Sequence, residues 1–247
     1  MHHIVLKDIG GEGQRKLLAS KVLIIGAGGL GSPSALYLAA AGIGTIGIAD
    51  DDKVELSNLQ RQILHTTSGI GSKKTDSANK TLTSINPDVR VTAYPHRINE
   101  ENIDSIIAEY DFIIDGSDNF ETKYLINDAC VKNEKPFSHG GVVAFRGQTF
   151  TYTPGSFCYR CIFPEPPSAE FIQNCRGDGI LGTVAGIVGT IQATEAIKFL
   201  LGKGSLLTDR LLTIDAMAME FQNIEFSRNH DCSVCGDKIS STNAGGY

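Results

Sequence analysis

Val22-Leu23-Ile24-Ile25-Gly26-Ala27-Gly28-Gly29-Leu30-Gly31 is the stretch that decides the fold. Four consecutive apolar residues read as a strand buried on both faces, the glycines as a tight turn, and residues 30–41 as a helix. Gly26, Gly28, Gly29 and Gly31 thus lie in a G-x-G-x-x-G pattern with the strand before it and the helix after it that the pattern requires. Glycines there let backbone N–H groups approach a phosphate at the helix N-terminus. Residues 45–49 read as a second buried strand ending in Asp50-Asp51-Asp52, and Asp50, 24 residues beyond Gly26, is placed to accept from ribose hydroxyls. The pattern predicts a nucleotide without choosing one. NAD fits the same turn, and a glycine turn can also serve close packing alone.

Working outward, residues 13–19 read as a short helix before the first strand, and residues 73–86 as a helix that stops at Asn86-Pro87. Residues 89–93 read as a strand, 101–110 as a helix with Asn99 as its candidate cap, 112–115 as a strand and 121–132 as a helix. Alternating strand and helix predicts a parallel sheet covered on both sides. From Pro136 the grammar changes. Residues 142–145 and 148–153 read as a hairpin around Arg146-Gly147, followed by a helix over 183–201 and strands near 211–214 and 219–226. The predicted fold is α/β, a Rossmann-like doubly wound sheet with a parallel N-terminal half and antiparallel C-terminal strands. Residues 163–173, with Pro164, Pro166 and Pro167, read as a mobile surface loop.

Composition narrows the function. Apolar residues make up 41% of 247, and with 27 glycines the chain has the make-up of a globular protein rather than a disordered or fibrous one. Lys and Arg total 22 against 28 Asp and Glu, a net charge of −6 without a basic block, which argues against a nucleic-acid partner. Six cysteines are too few for a disulfide scaffold, and no secretory leader pattern opens the sequence, so a reducing cytoplasm is expected. The longest apolar stretch, residues 179–201, is interrupted by Gln192, Glu195 and Lys198, which predicts a buried helix and no membrane.

Chemistry is concentrated in a few places. Ser57-Asn58-Leu59-Gln60-Arg61-Gln62, Lys74 and Asp118-Asn119 would equip the glycine turn for ATP: the β- and γ-phosphates need cations, and Mg²⁺ needs a carboxylate. Arg61, Lys74 and Asp118 supply that set, although singly each also reads as a surface or turn residue. Cys158-Tyr159-Arg160-Cys161 and Cys232-Ser233-Val234-Cys235 are two C-x-x-C pairs separated by 70 residues. Four thiolates fill a tetrahedral Zn²⁺ site, which makes it structural rather than catalytic. Cys130 reads as inert core. Cys175, beside Arg176 and after the proline-rich loop, reads as a candidate nucleophile or as a spare buried cysteine.

These motifs, in this order, resemble the ThiF/MoeB/HesA enzymes, bacterial relatives of the ubiquitin-activating enzymes, over residues 4–236. The resemblance rests on residues 26–31, 50–52 and 56–62, on Lys74, Asp118-Asn119 and both C-x-x-C pairs, and on Gln192-Ala193-Thr194-Glu195-Ala196-Ile197-Lys198. Ala49-Asp50-Asp51-Asp52, Gln62-Ile63-Leu64 and Asn174-Cys175-Arg176 are more similar to the thiamine-pathway member than to MoeB. It implies ATP-dependent adenylation of the C-terminal glycine of a small ubiquitin-like sulfur carrier ending in Gly-Gly, which prepares it for thiocarboxylate formation. A MoaD-type carrier for molybdopterin is the alternative within the family.

Carried onto this sequence, the resemblance gives Asp50 the ribose, Arg61 and Lys74 the polyphosphate and Asp118 the Mg²⁺, with Asp52 and Asn58 close by, and makes Cys175 the link to the carrier. It implies a homodimer and a single unit over residues 1–247: an arm and helix at 1–20, a nucleotide-binding half at 21–135, a carrier-binding and zinc-bearing half at 136–238 and a flexible tail at 239–247. The family usually opens with R-Y-x-R-[QH], whose second arginine reaches the neighbouring protomer's ATP. Met1-His2-His3 has no such arginine, which implies either a longer natural start or a weakened adenylation. No rhodanese-like segment follows, so a separate persulfide protein is expected to donate the sulfur. Two rival readings are an NAD-dependent oxidoreductase and a zinc-bearing scaffold without activity.

Overall fold

The computed structural model describes residues 2–168 and 179–237. Eight strands form one sheet: β1 (Lys21–Ile25), β2 (Thr45–Ala49), β3 (Arg90–Tyr94), β4 (Phe112–Asp115), β5 (Phe137–Val143), β6 (Arg146–Tyr152), β7 (Arg210–Asp215) and β8 (Glu220–Glu225). Their order is β3-β2-β1-β4-β5-β6-β7-β8. Pairing is parallel from β3 through β5 and antiparallel from β5 to β8.

The apolar runs follow from burial on both faces. Val22 and Ile24 of β1, with Phe112 and Ile114 of β4, pack against α3 (Gly31–Ala41) and α4 (Lys74–Ile85), while Leu23, Ile25 and Ile113 face α5 (Ile103–Ala108) and α6 (Phe120–Lys132). Alternation along a strand sends successive side chains to opposite faces, so a strand covered twice must be apolar throughout. Two short helices, α1 (His2–Val5) and α2 (Gly10–Ala19), precede β1. A one-turn helix, α7 (Tyr159–Ile162), and a long one, α8 (Gly182–Leu201), complete the set among the described residues.

Two expectations need correction. The helix expected over 101–110 spans only Ile103–Ala108, because Asn99 Oδ1 accepts the N–H groups of Glu101 and Asn102 and holds those residues in a turn. The hairpin turns at Ala144-Phe145, with Ala144 at φ 49°, not at Arg146-Gly147, and β5 already begins at Phe137. Glycines of this hairpin serve packing instead. A Cβ on Gly147 would meet Val188 Cγ2 at 2.6 Å, and one on Gly140 would meet Gln192 Oε1 at 2.7 Å. Both side chains belong to α8, so these glycines let the helix lie close on the sheet.

By length and composition α8 is apolar enough to cross a membrane, and its bounds lie within one residue of the helix expected over 183–201. Two of its polar residues reach into the fold. Gln192 Nε2 donates to the Asp115 and Ser138 carbonyls at 2.9 and 3.0 Å, and Glu195 accepts from Thr151 Oγ1 and the Leu207 N–H at 2.7 and 2.8 Å.

Candidate nucleotide site and cysteine cluster

In a doubly wound sheet the crevice opens where strand order reverses, at the C-terminal ends of the strands. Here β1 lies between β2 and β4, so the loops after β1 and β4 meet. Gly26 has φ +98°, and a Cβ on it would sit 2.6 Å from the Gly116 carbonyl, so only glycine permits this approach. Gly31 serves packing as well, since its Cβ would overlap the Gly26 carbonyl. The Gly26 N–H donates to Ala49 O and the Gly116 N–H to Ile25 O, knitting both loops to the strand ends.

Over this junction opens a cleft of about 2010 Å³. Gly26, Gly28, Gly29, Asp50, Asp52, Arg61, Gln62, Lys74, Asp118 and Asn119 all line it; Gly31 and Asn58 do not. Asn58 Oδ1 instead accepts the Glu55 N–H at 3.3 Å and closes the short turn Leu56–Asn58. Asn119, although on the cleft wall, caps α6 by accepting the Thr122 N–H at 2.9 Å.

Asp50 organises the near wall. Its Oδ2 accepts the Ala27 N–H at 2.8 Å and its Oδ1 the Asp52 N–H at 2.9 Å. Burial raises its pKa, with Lys74 and the two N–H groups acting in the opposite direction. Lys74, 5% exposed, places Nζ 2.8 Å from Asp52 and 3.7 Å from Asp50. Arg61 lays its aliphatic stem over Gly29, where a Cβ would be 3.4 Å from its Cγ, and Nη1 donates to Ser57 O at 3.3 Å. Asp118 is exposed, and among the described residues its carboxylate has no hydrogen-bond or ion-pair partner. An open turn, two cations and a free carboxylate around one cleft suit a polyphosphate with a divalent metal.

Behind Asp118 lies a network that the spacing of motifs did not reveal. Asp115, 1% exposed, accepts from Ser117 Oγ, from His139 Nδ1 at 2.9 Å and from Lys123 Nζ at 3.2 Å. Lys123 also donates to the carbonyls of Ser117 and Gly140. Burial opposes ionisation of Asp115, but Lys123, His139 and Ser117 outweigh it and hold the carboxyl at about 2. Burial pushes His139 and His65 down from 6.5, so both stay neutral. Because their folded pKa values are lowered, their contribution to stability is full above 6.5 and declines as pH falls from there towards the folded values. Asp115 keeps its contribution until pH falls below 3.8 towards about 2. Thermal melts should therefore be flat above about pH 7 and decline as pH falls below 6.5, before the carboxylates titrate. His139→Gln should flatten that decline.

The four paired cysteines converge, with sulfur atoms all within 4.8 Å of one another. Cys158 Sγ is 3.7 Å from Cys232 and 3.9 Å from Cys161. Cys161 is 3.4 Å from Cys235. A tetrahedron of roughly 2.3 Å metal–sulfur bonds has edges of ~3.8 Å, so the cluster fits Zn²⁺. The Cys158 and Asn229 N–H groups approach Cys161 Sγ at 3.5 Å, donors that would stabilise a bound thiolate. Cys130 is fully buried and burial raises its pKa, which agrees with an inert core thiol. Cys175 and Arg176, like residues 239–247, lie outside the described residues.

The model of the ThiF family matches residues 1–234. The chain is 46% identical to the SAMP-activating enzyme E1 of Haloferax volcanii, over 95% of this chain and 87% of that one. It is 43% identical to a sulfur carrier protein adenylyltransferase of Thermus thermophilus, over 95% and 89% of the two. With the adenylyltransferase and sulfurtransferase MOCS3 of Culex quinquefasciatus it shares 44% identity, but it spans only 55% of that relative's length. Among solved structures, E. coli MccB with ATP superposes with a TM-score of 0.80 at 26% identity, covering 90% of this chain and 68% of MccB.

Proposed function

The chain belongs to the ThiF family, and from that premise we propose that it adenylates the C-terminal glycine of a ubiquitin-like sulfur carrier with ATP. A carboxylate oxygen of the carrier forms a bond to the α-phosphorus. The bond from that phosphorus to the bridging oxygen breaks, and pyrophosphate leaves with the electron pair. The products are the carrier acyl-adenylate and pyrophosphate. A carboxylate is already ionised at neutral pH, so no general base is needed, and catalysis reduces to positioning and charge neutralisation. Asp50 would hold the ribose, the Gly28 and Gly29 backbone the phosphates, Arg61 and Lys74 the β- and γ-groups. Lys74 would exchange its contact with Asp52 for a phosphate. Asp118 would hold Mg²⁺, which supplies charge neutralisation at the phosphates.

The observation that carries this reading is the Asp118 carboxylate, unpartnered among the described residues, on the wall of the same cleft that Arg61, Lys74 and the glycine turn line. A nicotinamide cofactor would leave all three without a task. The test is ATP–pyrophosphate exchange with carriers ending in Gly-Gly: ThiS-type first, because of the resemblance at residues 49–52 and 174–176, then MoaD-type. Exchange with neither, alongside NAD binding, would refute the proposal.

The reading extends to a cytoplasmic homodimer supplied by a persulfide protein. Ile187 and Ile191 of α8 are only half-buried within the chain, which supports a paired protomer. Sedimentation should give twice the monomer mass, and a concentration-independent monomer would contradict the pairing. Cys175 would be the covalent participant in sulfur transfer, dispensable for adenylation because that step uses no thiol. Cys175→Ser should keep pyrophosphate exchange but lose a reductant-sensitive carrier adduct in intact-mass spectra. Thiocarboxylate formed at the wild-type rate by the serine variant would return Cys175 to a structural role.

A further inference from the structure

His65, which no motif singled out, lies beneath the glycine turn and is 5% exposed. Its Nε2 is 2.9 Å from the Ala27 carbonyl and its Nδ1 2.9 Å from Ser77 Oγ on α4. A carbonyl only accepts, so Nε2 carries the proton, and in the neutral ring Nδ1 accepts from the Ser77 hydroxyl. Burial and the nearby Lys74 favour that neutral ring, against the hydrogen bond to Ala27. The segment carrying His65 is itself anchored, because Thr81 Oγ1 donates to Leu64 O at 2.8 Å and Leu64 is fully buried.

The consequence lies one atom further on. In a trans peptide the C=O and the following N–H point in opposite directions. A ring that grips the Ala27 carbonyl from below therefore turns the Gly28 N–H away from itself, towards the cleft that Gly28 lines. Asp50 fixes the preceding peptide plane by accepting the Ala27 N–H, so two successive planes of the turn are held. Among the described residues the Gly28 and Gly29 N–H groups donate to no protein acceptor. Beside Gly28, Gln62 is 4% exposed, and its Oε1 is buried without a partner on the cleft wall. Together they mark a polar surface set out for a ligand.

We propose that His65 is a positioning residue for the nucleotide, orienting the Gly28 N–H towards the phosphates through the Ala27–Gly28 peptide plane. This rests on the reading of the cleft as an ATP site.

The test compares His65→Phe, His65→Gln and Ser77→Ala with the wild type, by ATP titration calorimetry and by KM and kcat in pyrophosphate exchange. Losing one oriented donor to a charged group should raise the ATP Kd and KM about tenfold in the Phe variant. A group that binds ground state and transition state alike should leave kcat within about twofold. The glutamine amide can reach the Ala27 carbonyl as Nε2 does and should restore most of the affinity. Ser77→Ala, which releases the ring's other end, should cost about threefold.

ATP bound as tightly by a folded Phe variant as by the wild type would overturn the inference. So would a glutamine variant as weak as the phenylalanine one, since shape alone would then explain the loss. Should the Phe variant fail to fold, wild-type affinity in Ser77→Ala and none of the expected KM shift would likewise overturn it. ATP binding that depends on His65 without any carrier-dependent exchange would sink adenylation and leave this inference standing.

Discussion

Asp118→Ala is expected to lower carrier-dependent ATP–pyrophosphate exchange by at least about a hundredfold, because it removes the carboxylate proposed to hold the metal that neutralises the transferring phosphate. The same substitution should leave the fold untouched. Asp118 is exposed and bonded to nothing among the described residues, so thermal stability should change by no more than about 0.5 kcal/mol. The contrast with its neighbour is informative. Asp115 is buried among Lys123, His139 and Ser117, and its loss would strand a buried cation and cost stability along with activity. Unchanged exchange in Asp118→Ala would remove that residue from the site. Arg61→Ala should also impair exchange severely, since its stem lies over Gly29 and, among the described residues, its guanidinium makes one weak contact, to Ser57 O.

Stripping metal from the cysteine cluster should lower the melting midpoint by more than about 10 °C, given the several kcal/mol that a structural zinc contributes and the size of the chain. The reason lies in what the cluster joins. Residues 227–236 form no helix or strand, and Cys232 and Cys235 tie them to Cys158 and Cys161 at α7. Tyr159 in turn packs on His139 with ring centroids 4.7 Å apart, and its N–H donates to Asn127 Oδ1 on α6 at 2.8 Å. Loss should loosen the C-terminal half first and reach the nucleotide cleft through α7, whose Tyr159 and Ile162 line it. Elemental analysis of protein purified without chelator should give one zinc per chain. A zinc-free protein with the same melting point would exclude the structural metal.

Much of this architecture was legible in the chain because it is written in local periodicity. Val22 to Ile25 and Phe112 to Ile114 are apolar without interruption since both faces of each strand are covered, and the glycine turn followed by Asp50 announces the crevice. The cysteine pairs were readable because a tetrahedral metal constrains spacing within each pair. Asp50, Arg61, Lys74 and Asp118 were found by residue type and order, and they line one cleft. Asn58 and Gly31, taken from the same motifs, stand off its wall because each serves the turn it belongs to.

What tertiary structure alone decided are the contacts whose partners are distant in the chain. Gly147 looks like a turn residue in a window of ten, and only the approach of Val188 shows it as a strand residue. His65 lies in a segment that forms neither helix nor strand and so carries no periodic signal, and its task depends on the Ala27 carbonyl, 38 residues earlier. Asp115, Lys123 and His139 meet because β4, α6 and β5 converge at one strand end, where Lys123 and His139 hold the Asp115 carboxyl below its ordinary range and burial lowers the pKa of His139. Hydrogen bonds and desolvation act through space, whereas periodicity reports only which face of an element is covered. The polar interior of this site therefore had to wait for the fold.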